Sequence, residues 1–194
     1  MKKLFAFFLF LSMAFLPFRT MAQWSDWSYG SNAPLEMKGK TVVGGHVSGG
    51  ASGNCIYFTL SPQIGYRLSK GLEAGVRLGY SLQYYFDSYY GNCSVHHFSA
   101  GLYANYEIYR GIYLHVEDEE SCLMTSEGFF SNPTAPQWYN SLFIGGGYRQ
   151  YFSTTAYAYV SLLYNLSWDY TSDGWVNSPY SRPLLYRMGY CYGF

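Results

Sequence analysis

Two tripeptides, His46-Val47-Ser48 and His97-Phe98-Ser99, each set a histidine and a serine two positions apart. On an extended strand that spacing puts both side chains on one face. A carboxylate such as Glu107 or Glu117 could orient the imidazole, which would supply the base, nucleophile and orienting group of a hydrolytic site. The spacing is short enough to arise by chance in any strand with one polar face. The run Glu117-Asp118-Glu119-Glu120 offers carboxylates to a divalent cation or a basic partner, and equally suits a solvated loop base that resists aggregation. The sequence carries no zinc-ligand spacing, phosphate loop or dinucleotide fingerprint, so neither metal nor cofactor is expected.

These residues lie on segments with an unusual pattern. From Cys55 onward, even positions are apolar or aromatic and odd positions are small, polar or charged. Ile56, Phe58, Leu60, Ile64, Tyr66 and Leu68 alternate with Tyr57, Thr59, Ser61, Gln63, Gly65 and Arg67, and Leu72 through Phe86 repeat the alternation after Ser69-Lys70-Gly71. A period of two over so long a stretch predicts strands, because an amphipathic helix repeats its apolar residues at three and four. Eight strands are predicted, at 41–50, 55–68, 72–86, 96–109, 111–119, 138–151, 155–169 and 181–194. Glycines 44, 45, 49 and 50 dilute the pattern in the first.

The chain begins with Lys2 and Lys3, an apolar run from Leu4 to Phe18, and small residues up to Ala22. That order reads as an export signal removed after residue 22, and the run is shorter than the roughly 20 residues of a spanning helix. Residues 23–40 then form an N-terminal periplasmic segment and 41–194 a single domain. Without Lys2, Lys3 and Arg19, 9 of the 12 basic residues remain against 12 acidic ones, which leaves no basic footprint for nucleic acid. Aromatic residues make up 22% and charged residues only 12%, against a usual charged share of about a quarter. Strands with one face to lipid and one inward accommodate that composition without a second long apolar run.

Connections alternate in length. Ser69-Lys70-Gly71, Tyr109-Arg110-Gly111 and Phe152-Ser153-Thr154 are tight, whereas 87–95, 120–137 and 170–180 are long and rich in Gly, Asn, Ser and Pro. Short periplasmic turns and longer external loops are the pattern of transmembrane barrels, and place both termini in the periplasm. Tyr66, Tyr106, Tyr148 and Tyr190 fall at matched heights near one end and Tyr84, Phe86, Phe98 and Trp168 near the other, as two aromatic girdles would. The last strand carries Tyr186, Met188, Tyr190, Tyr192 and terminal Phe194 on one face.

Over the whole segment after the export signal, this architecture resembles the small eight-stranded outer-membrane barrels of the OmpA-barrel and OmpX type, the broad outer membrane protein beta-barrel domain group. The resemblance implies an all-β, antiparallel, up-and-down porin-like barrel in the outer membrane of a Gram-negative bacterium. Its partners would be outer-membrane lipid, lipopolysaccharide and the barrel-assembly machinery, with Tyr190, Tyr192 and Phe194 as the assembly signal. Some eight-stranded outer-membrane lipid hydrolases have a similar His-x-Ser on a strand with a distant Glu.

Inside such a barrel there is room only for side chains. Arg67, Arg77, Arg149 and Arg187 are expected to pair with Glu73, Glu107, Glu117 and Asp169 across the lumen, with Tyr57, Tyr85, Tyr103 and Tyr157 filling the bore. A soluble lipocalin-like barrel would instead need an apolar interior. The leading expectation is a structural or interaction protein without enzymatic activity, whose external loops meet surface glycans, proteins or lipopolysaccharide; a narrow solute channel and a membrane-embedded lipid hydrolase are the alternatives. Cys55, Cys93 and Cys122 fall near the external mouth and Cys191 near the other end. Export through an oxidising compartment suggests a disulfide between Cys55 and Cys93, with Cys122 competing for Cys55.

Overall fold

The alternation closes into a cylinder. In the computed structural model, which describes residues 40–69, 71–86, 92–125, 135–153, 155–169 and 178–194, eight antiparallel strands form a closed barrel in sequence order. They are β1 (Thr41–Ser52), β2 (Cys55–Arg67), β3 (Leu72–Tyr85), β4 (Cys93–Tyr109), β5 (Ile112–Thr125), β6 (Gln137–Tyr151), β7 (Ala156–Asn165) and β8 (Leu184–Gly193). The expected export signal at 1–22 and residues 23–39 of the expected N-terminal segment lie outside the described residues, as does much of the three long connections. Among the described residues no helix is long and apolar enough to cross a membrane.

Register fixes the shape. A row of paired residues followed from Thr41 through Tyr66, Ala74, Ala104, Val116, Ile144 and Tyr164 reaches β8 at Leu184. Thr41 itself bonds to Phe194, so one circuit displaces the row from 194 to 184. With strands spaced about 4.8 Å and a rise of about 3.3 Å per residue, that stagger tilts the strands by about 40° and gives a barrel radius of about 8 Å. A bore that narrow is filled largely by side chains.

Tight hairpins gather at the end that holds Lys40 and Phe194, called the lower end below. Arg110 and Gly111 both take positive φ (41° and 88°) between the paired Tyr109 and Ile112, the backbone that a two-residue hairpin matched to strand twist requires. At the upper end β1 and β2 also join tightly, through Gly53 and Asn54, so the first upper connection departs from the long-loop pattern. The other strand ends shift too. β4 starts at Cys93 and β5 runs to Thr125, both beyond the expected limits, while β7 stops at Asn165 and β8 begins at Leu184.

Even-numbered side chains from β2 onward form the outer surface. Ile64, Val76, Leu102, Val116, Ile144, Leu162 and Met188 are all exposed in a belt around the middle. Tyr66, Tyr106, Tyr148 and Tyr190 border it below, and Phe58, Phe98, Trp138, Tyr164 and Tyr186 border it above. An exposed apolar belt this extensive is stable in hydrocarbon and a liability in water.

Candidate functional site

The lumen holds two charge clusters, one above the other. In the lower, Glu73 is fully buried and faces Arg149 at 3.1 Å and Arg67 at 3.6 Å. The hydroxyls of Tyr157 and Tyr103 and the Asn105 amide also donate to it, at 3.1, 3.3 and 3.4 Å. Arg149 lies between two rings, 4.7 Å from the centroid of Tyr113 and 4.8 Å from that of Tyr157. Arg67 donates to the Tyr151 hydroxyl at 2.9 Å, which in turn donates to Glu107 at 2.6 Å.

The upper cluster centres on Glu117, also fully buried, with Arg77 and Arg187 each at 2.5 Å and His115 Nε2 at 2.9 Å. Asn105 joins the clusters, since its Oδ1 meets His115 Nδ1 at 2.6 Å while its Nδ2 reaches Glu73. Gln63 accepts from Arg77 at 2.7 Å and donates to Cys191 Sγ at 3.1 Å. Among the described lumen residues, four guanidiniums face four carboxylates: Arg67, Arg77, Arg149 and Arg187 against Glu73, Glu107, Glu117 and Glu119. Such balance is needed, because each unpaired buried ion costs several kcal/mol. A void of about 10 Å³ remains between the clusters, room for about one water.

Glu119 takes the place expected for Asp169. Because β7 ends at Asn165, Asp169 lies beyond the strand and is exposed, outside the lumen network. Glu119 sits within β5, because the acidic run is strand and not loop base. Its alternate members face opposite ways: Glu117 and Glu119 point inward, while Asp118 and Glu120 face outward and share the Asn140 amide at 2.9 and 2.8 Å. Glu119 meets Arg187 at 3.4 Å and accepts a 2.5 Å hydrogen bond from Tyr180. Tyr180 folds into the top of the bore from the β7–β8 connection, with its ring edge-on to Phe143 and His97. Burial, and then the neighbouring Glu119, push the Tyr180 hydroxyl well above the usual tyrosine range, which keeps it a donor. Of the tyrosines expected to fill the bore, Tyr103 and Tyr157 do so, whereas Tyr57 and Tyr85 stand exposed at the upper rim.

The two His-x-Ser motifs do not assemble a nucleophile pair. His46, Ser48, His97 and Ser99 all line a cavity of about 240 Å³ above the network, but His46 Nδ1 and His97 Nε2 are buried without any hydrogen-bond partner. Glu117 orients His115 instead.

The expected Cys55–Cys93 disulfide is not formed, and among the described residues no cysteine is in a disulfide. Tyr85 pairs with Cys55 on one side and with Cys93 on the other, so the cysteines sit two strands apart, about 10 Å. That exceeds disulfide reach. Because β4 begins at Cys93, that cysteine is held in the ladder beside Tyr85. Cys122 pairs with Phe98 and Trp138 on the outer face and cannot compete for Cys55.

No protein-family model matches the chain, and no curated protein sequence matches it. The N-terminal β-barrel domain of Pseudomonas aeruginosa OprF is similar at a TM-score of 0.52 and 17% identity, covering 81% of this chain and 98% of that domain. The chain has the fold of a small outer-membrane β-barrel. Neisserial surface protein A, NspA, is similar at a TM-score of 0.43 and 14% identity over 80% of this chain and 96% of its own. The Yersinia pestis outer membrane protein Ail is similar at 0.41 and 14% over 81% and 100%.

Proposed function

We propose that the protein is an outer-membrane barrel with a blocked bore, a scaffold whose work is done by the connections at its upper end. The observation that carries this reading is the filled lumen: charge clusters and stacked rings leave a void of only about 10 Å³ between them. A bore of that kind supports a scaffold over a general diffusion pore and directs attention to the surfaces. The exposed apolar belt supports placement in a bilayer, and the aromatic rings at its two borders support an interfacial position for each end. Outer-membrane lipid and lipopolysaccharide are then its constant neighbours. Tyr190, Tyr192 and Phe194 are exposed on the outer face of the strand that closes the barrel, a position suited to recognition by the barrel-assembly machinery.

The upper connections 87–91, 126–134 and 170–177 carry Tyr, Trp, Asn and Phe, residue types that give large contact area and adaptable hydrogen bonds to glycans, proteins or lipopolysaccharide. The test replaces these three segments with Gly-Ser stretches of equal length. The variant is expected to reach the outer membrane at normal yield while cells lose binding to a glycan array and to lipopolysaccharide vesicles by at least tenfold. Unchanged binding by cells that carry the variant would overturn the assignment to the loops.

A further inference from the structure

The cavity above the charge network has two properties that the blocked bore does not require. First, its polar wall is incompletely satisfied. His46 Nδ1 and His97 Nε2 are buried with no hydrogen-bond partner, and hydroxyls of Ser48, Thr59, Ser81 and Ser99 line the same space. A buried polar atom left without a partner opposes folding. The ionic groups of the wall are already engaged, Arg187 with Glu117 and Glu119, and Glu119 with Tyr180. What the cavity offers a guest is neutral hydrogen bonding, without a free cation for a phosphate.

Second, the cavity lies beside a seam of the wall that is paired over only part of its length. β1 pairs with β2 along its whole length, but with β8 only through Val42–Gly45 against Tyr190–Gly193. β8 continues upward to Leu184 paired with β7 alone. Above Gly45, therefore, the edges of β1 and β8 carry no ladder to each other among the described residues. The cavity wall includes Tyr186, whose ring is exposed on the outer face, together with His46, Ser48 and Leu185. The unpaired stretch of the seam thus lies in the upper half of the wall, beside the cavity. An open strand edge in hydrocarbon leaves backbone donors and acceptors unsatisfied, so a polar guest there would answer that deficit.

We propose that this cavity binds the uncharged, hydroxyl-rich head group of an outer-leaflet amphiphile admitted sideways between β1 and β8, its chain lying outside against Val47 and Tyr186. The proposal rests on the bilayer placement argued above. The test uses the full mature chain in phosphatidylcholine nanodiscs, titrated with dodecyl maltoside and, separately, with maltose, and read by native mass spectrometry and by the histidine ring resonances. One dodecyl maltoside per barrel is expected, shifting His46 and His97 but not His115, with maltose at least tenfold weaker. Continuing the β1–β8 register sets Val47 opposite Met188, both on the outer face. In a background with Cys55 and Cys93 replaced by serine, the pair V47C and M188C is expected to lose binding at least tenfold on oxidation and regain it on reduction. No dodecyl maltoside bound by the reduced protein, equal affinity for maltose, or binding indifferent to the cross-link would each overturn the proposal. Failure to insert into nanodiscs, seen as identical gel mobility with and without boiling, would instead refute the bilayer placement, and the lateral route with it.

Discussion

Adjacent carboxylates at 117 and 118 differ by one residue in sequence and by the full thickness of the barrel wall in environment. Glu117→Gln keeps shape and hydrogen bonding but removes the charge that holds Arg77 and Arg187, each at 2.5 Å. Arg187 would keep Glu119 at 3.4 Å as an ionic partner, whereas Arg77 would be left with neutral oxygens alone, that of Gln63 at 2.7 Å among them. The lumen would then hold four guanidiniums against three carboxylates, one of them buried without an ionic partner. Breaking a buried pair in this way costs about 3–5 kcal/mol, two to four orders of magnitude in the folding equilibrium at about 1.4 kcal/mol per tenfold. Asp118→Asn, on the outer face beside Leu102 and Leu142, changes a carboxylate whose partner is the neutral Asn140 amide, which retains Glu120 at 2.8 Å; no buried ion pair is broken, so the loss is expected to be smaller than for Glu117→Gln.

Reversible urea unfolding in phospholipid vesicles, followed by tryptophan fluorescence and by the mobility of unboiled protein, measures both variants. A second substitution restores neutrality: Glu117→Gln with Arg77→Met is expected to recover at least half of the loss, because the orphaned cation is gone. If Glu117→Gln stayed within about 1 kcal/mol of the parent, or Asp118→Asn proved the more damaging of the two, the inward network would not be what stabilises the barrel.

Purified protein in planar bilayers is expected to show no steady current of porin size, because the void between the clusters measures about 10 Å³; sustained openings would contradict the packing of Arg149 between Tyr113 and Tyr157. Maleimide labelling of folded protein is expected to modify Cys55, which is partly exposed, and to spare the buried Cys93, Cys122 and Cys191 until the barrel is unfolded. Mass mapping of the labelled peptides reads this directly, and a Cys55–Cys93 linked pair would refute the register around Tyr85.

Parity was the part of the fold legible in the sequence, and for a physical reason. A strand that separates lipid from a polar interior cannot slip by one residue without placing every side chain on the wrong face. Arg67, Glu73, Arg77, Glu107, Glu117, Arg149 and Arg187 could therefore be assigned inward before any pairing was known. Strand ends carry no such penalty. Asn165 ends β7 by accepting the Ser167 amide at 3.0 Å, a local turn that the alternation through Trp168 conceals, and Asp169 was misplaced with it. The acidic run was misread for the opposite reason, since four consecutive carboxylates look like solvated loop. Parity alone would have sent Glu119 inward, yet only the positions of Arg187 and Tyr180 explain why it is tolerated there.

Tyr180 and the Cys55 pairing mark where one-dimensional pattern ends. Tyr180 belongs to no periodic segment; what brings it inward is a chain of local bonds, in which the Asn165 amide donates to the Ser178 hydroxyl and Trp168 Nε1 donates to the Tyr180 carbonyl. The disulfide expectation treated Cys55 and Cys93 as neighbours because each stands near the top of a strand. In a meander, strands two apart in sequence are also two apart in the wall, so a cysteine at the start of β4 is separated from one at the start of β2 by the whole of β3. The same rule makes β1 and β8, farthest apart in sequence, the pair that must close the barrel. Their ladder is the shortest in the wall, four residue pairs against twelve between β1 and β2. A seam so lightly bonded is the place where a closed barrel opens at least cost, and where a change in the membrane around it is felt first.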